Sequence, residues 1–256
     1  MRPARVAAVF GGVALLAGGA LSARAAHPLL TEDTGTQGAG NYQLEMLVDK
    51  SRDHPEDATV RKLQTTAQLS YGLLENVDLQ LGMPYLRQNR HDTRGRHASS
   101  GPLDTTLALK WRYFEHDAFS LALKGGFSVP TGDEDRGFGS GRTALGAVLI
   151  VSYQPGPWAF HSHAGYRWNN NSVGERKSLA HLSAAVTYQA TDRIRLIADL
   201  SADTNPDRGD SSLLRYGVLG AIYSAAPNVD LDAGFKLGHG NPATDRTLLF
   251  GATLRW

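Results

Sequence analysis

His161 and His163 stand two residues apart in a run that alternates apolar and polar residues. On an extended strand that spacing turns both imidazoles to one face, where two such rings can share a metal ion. A third ligand is needed, and hairpin register sets His181 nearer Arg167 than His163. Asp203, Asn205 and Asp207 copy the first three ligands of a calcium loop. The Gly required at the sixth position is Arg208, Gly209 comes one late, and no Glu closes the loop. Ser162 would need a His on its own face to become a nucleophile, and both neighbouring histidines point to the other. His91, Asp92 and His97 are scattered without a supporting pattern. No catalytic residue, metal ligand set or cofactor is expected from these groups, and the histidines are expected as polar wall residues.

The elements that carry them repeat with a period of two. From Tyr42 to the end, twelve segments alternate apolar and polar positions. In the last, Leu248, Phe250, Ala252, Leu254 and Trp256 face one way and Thr247, Leu249, Gly251, Thr253 and Arg255 the other. In the tenth, Leu214, Tyr216, Val218 and Ile222 form the apolar row, which puts Arg215 on the polar side. Segments of about ten residues with this pattern suit tilted strands crossing a bilayer, apolar side to lipid. The connections alternate as well. Gaps 73–76, 115–118, 154–157, 191–193 and 225–228 are short, while 49–59, 87–102, 131–142, 169–178, 204–212 and 240–246 are longer and carry charge or Gly. Tyr42, Tyr71, Tyr113, Phe119, Tyr153, Trp158, Tyr188 and Trp256 cluster at the short-turn ends, where amphipathic rings favour the headgroup level. A soluble barrel or sandwich shares the alternation but not this loop and ring pattern. The expected fold is all-β: a transmembrane antiparallel up-and-down β-barrel of about 12 strands with both termini on the short-turn side.

Arg2 and Arg5, the apolar run 6–21 and Ala23-Arg24-Ala25 have the layout of a cleaved leader. The expected organisation is residues 1–25 as signal peptide, 26–40 as an N-terminal periplasmic or plug segment, and 41–256 as the barrel. The leader carries three arginines and no acid, so 26 basic residues fall to 23 against 25 acidic ones. A mature charge of −2 gives no reason to expect a nucleic-acid partner. Cysteine is absent, which excludes disulfides and thiolate metal sites.

The inward row is expected to carry Glu45, Lys62, Asp104, Lys110, Arg112, Lys124, His161, His163, Arg167, Arg195, Asp199, Arg215, Asp230, Asp232 and Lys236. A twelve-strand bore lies between barrels that side chains fill and barrels that hold open water. The row therefore either tunes selectivity in a narrow pore or packs as a paired, water-excluding network. The segment before the first strand is long enough to fold inward as a plug or gate, or to hang free as a tail. Phe250, Leu254 and Trp256 are expected as the assembly signal.

Several stretches, taken in order, resemble a known family. They are His27-Pro28-Leu29-Leu30-Thr31-Glu32-Asp33-Thr34-Gly35-Thr36-Gln37-Gly38, Tyr71-Gly72-Leu73 with Asp78-Leu79-Gln80-Leu81-Gly82-Met83-Pro84-Tyr85, Asp104-Thr105-Thr106 with Lys110-Trp111-Arg112, Pro130-Thr131-Gly132-Asp133, and His163-Ala164-Gly165-Tyr166. Together they resemble the MetA-pathway of phenol degradation family of outer-membrane transporters. The resemblance implies a barrel of the bacterial outer membrane passing small hydrophobic or aromatic compounds, with no catalytic residues. The partners expected are a small-molecule solute, outer-membrane lipid and the barrel assembly machinery. A structural or filled barrel without transport is the second reading, and an outer-membrane lipid hydrolase the third.

Overall fold

The computed structural model describes residues 27–53, 58–93, 95–239 and 246–256; the expected leader lies outside them. Among the described residues the strands are β1 (Tyr42–Asp53), β2 (Ala58–Leu74), β3 (Val77–Asp92), β4 (Gly95–Pro102), β5 (Thr105–His116), β6 (Phe119–Val129), β7 (Ala144–Tyr153), β8 (Trp158–Trp168), β9 (Ser178–Gln189), β10 (Ile194–Thr204), β11 (Leu213–Ala226), β12 (Val229–His239) and β13 (Arg246–Arg255). All pairings are antiparallel, and β1 closes the ring on β13, from Gln43 opposite Arg255 to Arg52 opposite Arg246.

The β3 strand has two partners in succession. Val77 to Gly82 pair with β5, and Tyr85 to Asp92 pair with β4. Strands β4 and β5 are thus one wall strand broken at residues 103–104, and the closed wall has twelve strands. The stretch 87–102, expected as a loop, is mostly a hairpin that lengthens the wall on the long-loop side. It lacks an apolar row because it rises past the apolar belt. Following partners once around the wall returns to β1 about fourteen residues displaced, the stagger that closes a barrel of tilted strands.

The outward row is a continuous apolar belt. Leu123 lies opposite Leu149, and Leu196 opposite both Tyr188 and Ala221. Leu200 and Leu219 are the most exposed, at 70% and 69%. So much apolar surface is untenable in water and is what hydrocarbon requires of a barrel wall.

At the short-turn end the start of β1 meets the end of β13. Tyr42 and Trp256 exchange backbone hydrogen bonds of 2.8 and 3.1 Å. The Tyr42 ring lies between Tyr71 at 4.6 Å and Trp256 at 5.6 Å. Phe250 and Leu254 occupy the same outward row of β13. Aromatic pairs of this kind contribute about 0.5–1.5 kcal/mol beyond area burial. Trp256→Ala is therefore expected to slow closure of the β1–β13 seam, read as delayed appearance of the heat-modifiable band during refolding. Refolding at the parental rate would refute it.

One strand departs from the expected orientation. On β11 the row Leu214, Tyr216, Val218 and Ile222 faces inward, not to lipid, because Tyr216 pairs with inward Ser201 and Leu214 with inward Asp203. Arg215 consequently faces outward, near the loop-side rim beside His239, and is not a lumen residue. The reason is an apolar patch inside the bore: Ile197, Val218, Ile222 and Leu249 form a buried cluster.

Candidate functional site

What covers that patch is the segment ahead of β1. Leu29 and Leu30, partly buried, pack on the cluster and gain a share of the roughly 1.5–3 kcal/mol that full burial of a Leu side chain provides. Residues 27–40 lie within the barrel, entering at the turn end. There Gly40 N–H donates to the Gly72 carbonyl at 2.8 Å. Gly72 is dictated by this approach, since a Cβ there would stand 1.8 Å from the Gly38 oxygen.

From that point the segment winds past successive strands. Gln37 N–H donates to Asp78 of β3 at 3.0 Å. The Thr34 hydroxyl bonds Ser120 of β6 at 2.5 Å, and Thr34 N–H donates to Ser152 of β7 at 3.2 Å. Glu32 N–H donates to Nδ1 of His163 on β8 at 2.9 Å. The Thr31 hydroxyl donates to Ser183 of β9 at 2.8 Å. Leu30 and Thr31 N–H groups both donate to Asp199 of β10, at 2.8 and 2.7 Å. His27 reaches Asp232 of β12 at 2.5 Å and Asp49 of β1 at 3.6 Å. An extended peptide with no ladder of its own must find partners for its buried N–H groups. Here wall hydroxyls, carboxylates and an imidazole supply them, and Thr31, Thr34 and Thr36 are all but sealed from solvent.

Charge fixes the middle of the segment. Lys124 contacts Glu32, and Lys110 lies 3.4 Å from Asp33 and 4.0 Å from Glu32. Burial alone would raise the Glu32 carboxyl, but Lys124 and Lys110 outweigh it and hold the group down at about 2. This contribution is present above the ordinary value of 4.5 and is lost only as pH falls through about 2. His27 shows the opposite sign. Burial disfavours its imidazolium, yet the Asp232 and Asp49 carboxylates carry it up to about 9. Its contribution is complete below pH 6.5 and disappears as pH rises through 9. Raising pH from 7 to 10 should therefore loosen the head of the segment, read as faster protease cleavage near residue 27. His27→Gln should abolish that pH dependence, and an unchanged profile in the variant would exclude the His27 contact as its source.

The remaining wall candidates fall into distinct settings. Glu45 accepts from Gln68 at 2.7 Å, Arg112 pairs with Glu115 at 3.1 Å, and Asp230 pairs with Arg255 at 2.9 Å. Arg195 donates to Gln189 at 3.1 Å, and Lys236 sits 5.4 Å over the Tyr216 ring. Lys62 lies toward the loop end, 3.1 Å from Asp53. Asp104 occupies the break between β4 and β5, where it accepts from Gly132 N–H and from Ser140 N–H and hydroxyl. It fastens the loop 130–143.

His161 bonds Ser152 at 2.8 Å. Contrary to the sequence expectation, His181 leans on His163, ring centroids 4.4 Å apart, because the cross-strand partner of His181 is Gly165, which leaves the space open. His181 also contacts Asp203 at 2.5 Å. Among the described residues no three His, Asp or Glu groups are placed to hold a metal ion. The wall-contacting residues that sequence reasoning did not single out are His27, Thr31, Glu32, Asp33, Thr34 and Gln37. Their signal was complementarity: two acids against inward lysines, and two leucines against an inward apolar row.

Space remains on both sides of the Glu32–Lys124 contact. A cavity of about 500 Å³ occupies the loop-side half, walled by Lys124, Ser128, Val148, Arg167, Leu179 and His181 among others. A second, of about 650 Å³, opens at the turn side between Asp33, Arg112, His161, Thr187 and Arg195.

A family model for the MetA-pathway of phenol degradation matches residues 15–256, inner segment and barrel alike. The chain belongs to this family. Among solved structures it is similar to an outer membrane channel from Pseudomonas putida F1, at 14% identity over 88% of this chain and 98% of that one, with a TM-score of 0.72. The KdgM porin is similar at 8% identity over 83% and 98%, with a TM-score of 0.56. The NanC porin is similar at 11% identity over 82% and 98%, with a TM-score of 0.55. At such identities these likenesses concern the barrel fold. No curated protein matches the chain.

Proposed function

We propose that this family member is a channel of the bacterial outer membrane, reached after cleavage of residues 1–25, which passes small hydrophobic or aromatic solutes down their gradient. The observation that carries the reading is a hydrogen-bonded inner segment that narrows the bore between two cavities. A purely structural barrel has no need of such an arrangement. Each cavity falls within the roughly 300–1,000 Å³ usual for small-molecule sites. The loop-side cavity mixes apolar walls (Val148, Leu179, Ala108) with Lys124, Arg167 and His181, which suits a ring bearing one polar substituent. In this scheme the inward charges set selectivity, the segment 26–40 is the gate, and Phe250, Leu254 and Trp256 are read by the assembly machinery. The scheme asks no catalysis of the wall, and Ser162, flanked by two histidines in sequence, donates its hydroxyl to the Ser183 carbonyl at 3.0 Å.

Planar-bilayer recording of the refolded mature chain, with and without residues 26–39, tests the proposal. The expected result is a small steady current that rises several-fold on truncation. Silence in both forms would assign the filled structural barrel instead. Flux of phenol against a sugar of similar mass, in liposomes, tests the solute class.

A further inference from the structure

We propose that the outward wall at its loop end, centred on Arg52, binds the phosphate groups of lipid A, the phosphorylated glycolipid of the outer leaflet. The inference rests on the outer-membrane reading above and adds a specific lipid site to it.

Strand parity keeps the described acids of this region off its outward face. The acids of the lengthened β1–β3 wall point inward: Asp49 toward His27, Asp53 toward Lys62 at 3.1 Å, and Asp92 toward Arg90 at 3.0 Å. The outward positions hold Lys50, Arg52, Arg61, Arg87 and Arg246. Arg52 lies directly opposite Arg61 on one side and Arg246 on the other. Opposed residues on one sheet face have Cβ atoms about 4.5–5.5 Å apart, and like charges so placed destabilise the pairing. Among the described residues no carboxylate pairs with any of these five cations, and Arg52 Nε is buried without a hydrogen-bond partner. A wall that gathers guanidinium groups on one face in this way is arranged for an anion.

The same groove identifies which anion. It measures about 730 Å³, and its membrane-side edge is Leu63, Phe235 and Leu248, which continue the apolar belt. Lys50 sits opposite Leu63 and Leu248 themselves. Cations directly above exposed apolar side chains match a molecule whose phosphates sit directly above its acyl chains. A free inorganic anion would make no use of the lower edge.

The test compares the refolded mature protein with R52Q/R61Q/R246Q in phosphatidylcholine nanodiscs. Binding of lipid A, of dephosphorylated lipid A and of inorganic phosphate is measured for each. The expected result is that the triple substitution, or removal of the lipid's phosphates, weakens binding about tenfold or more, the value of a single charge-assisted contact. Millimolar inorganic phosphate should not displace the lipid. Equal affinity of parent and variant, or displacement by phosphate alone, would overturn the proposal. Should the triple variant fail to show heat-modifiable migration, single R52Q with the R52K control reads the same contact. Failure of the parent protein to insert into phosphatidylcholine would overturn the channel reading. Insertion without selectivity for lipid A overturns only this site.

Discussion

Glu32→Ala is expected to free the inner segment and raise single-channel conductance toward that of the truncated barrel. Among the described residues, the substitution leaves Lys124 with no acidic partner within 4 Å and Lys110 with Asp33 alone. Breaking a largely buried ion pair by removing one partner costs about 3–5 kcal/mol, since the surviving charge stays desolvated. The hydrogen bonds on either side, to His163 and Ser152, are each worth only about 1 kcal/mol net, so they do not make up that loss. Lys124→Met in the same background should restore part of the closed state by removing the orphaned ammonium. A double variant as leaky as Glu32→Ala would show that the pair does not hold the segment.

The second large effect concerns the wall. Leu196 is 48% exposed on the outward face of β10, and Leu123 and Leu149 are each 44% exposed in the same belt. Arg at any of the three should cost about 2–4 kcal/mol of folding free energy in lipid, the usual value for a cation near the midplane. Glu at Thr187 should be tolerated, since Thr187 faces the turn-side cavity near Arg195. Urea titration of the refolded barrels in lipid measures both. Equal tolerance would invalidate the assignment of lipid and lumen faces.

The belt was legible in the sequence because lipid imposes one rule on every outward position it touches. The alternation at Leu79, Leu81 and Met83, or at Leu196, Ala198 and Leu200, has a single physical cause and can be followed strand by strand. Above the belt that cause ends. Residues 87–102 are polar on both faces, so nothing in their pattern marks them as strand, and their pairing is set by the strands below.

The bore obeys no single rule either, and this is where β11 misleads. Its two rows are Leu213, Arg215, Leu219 and Tyr223, and Leu214, Tyr216, Val218 and Ile222. Both are apolar enough to face lipid. Sequence pattern favours the second, and the fold turns that row inward because Leu29 and Leu30 need an apolar partner there. Only knowledge of what fills the lumen decides between them. The inward acids and lysines were visible as a row, but that Asp199 serves two backbone N–H groups, and Asp104 a loop, follows from distances that no strand pattern contains.

The winding course of residues 27–40 makes them a hoop as well as a stopper. One short peptide ties β3, β6, β7, β8, β9, β10 and β12 to one another from inside, fastening Asp78 and Asp232, which the wall itself links only through long detours. Its fastenings are strung in chain order, from His27 on β12 to Gly40 beside β2. Released in chain order from His27 toward Gly40, the hoop would peel fastening by fastening. A barrel unlaced in that sequence passes through several widths, and its current should climb a staircase of sub-levels in place of a single step.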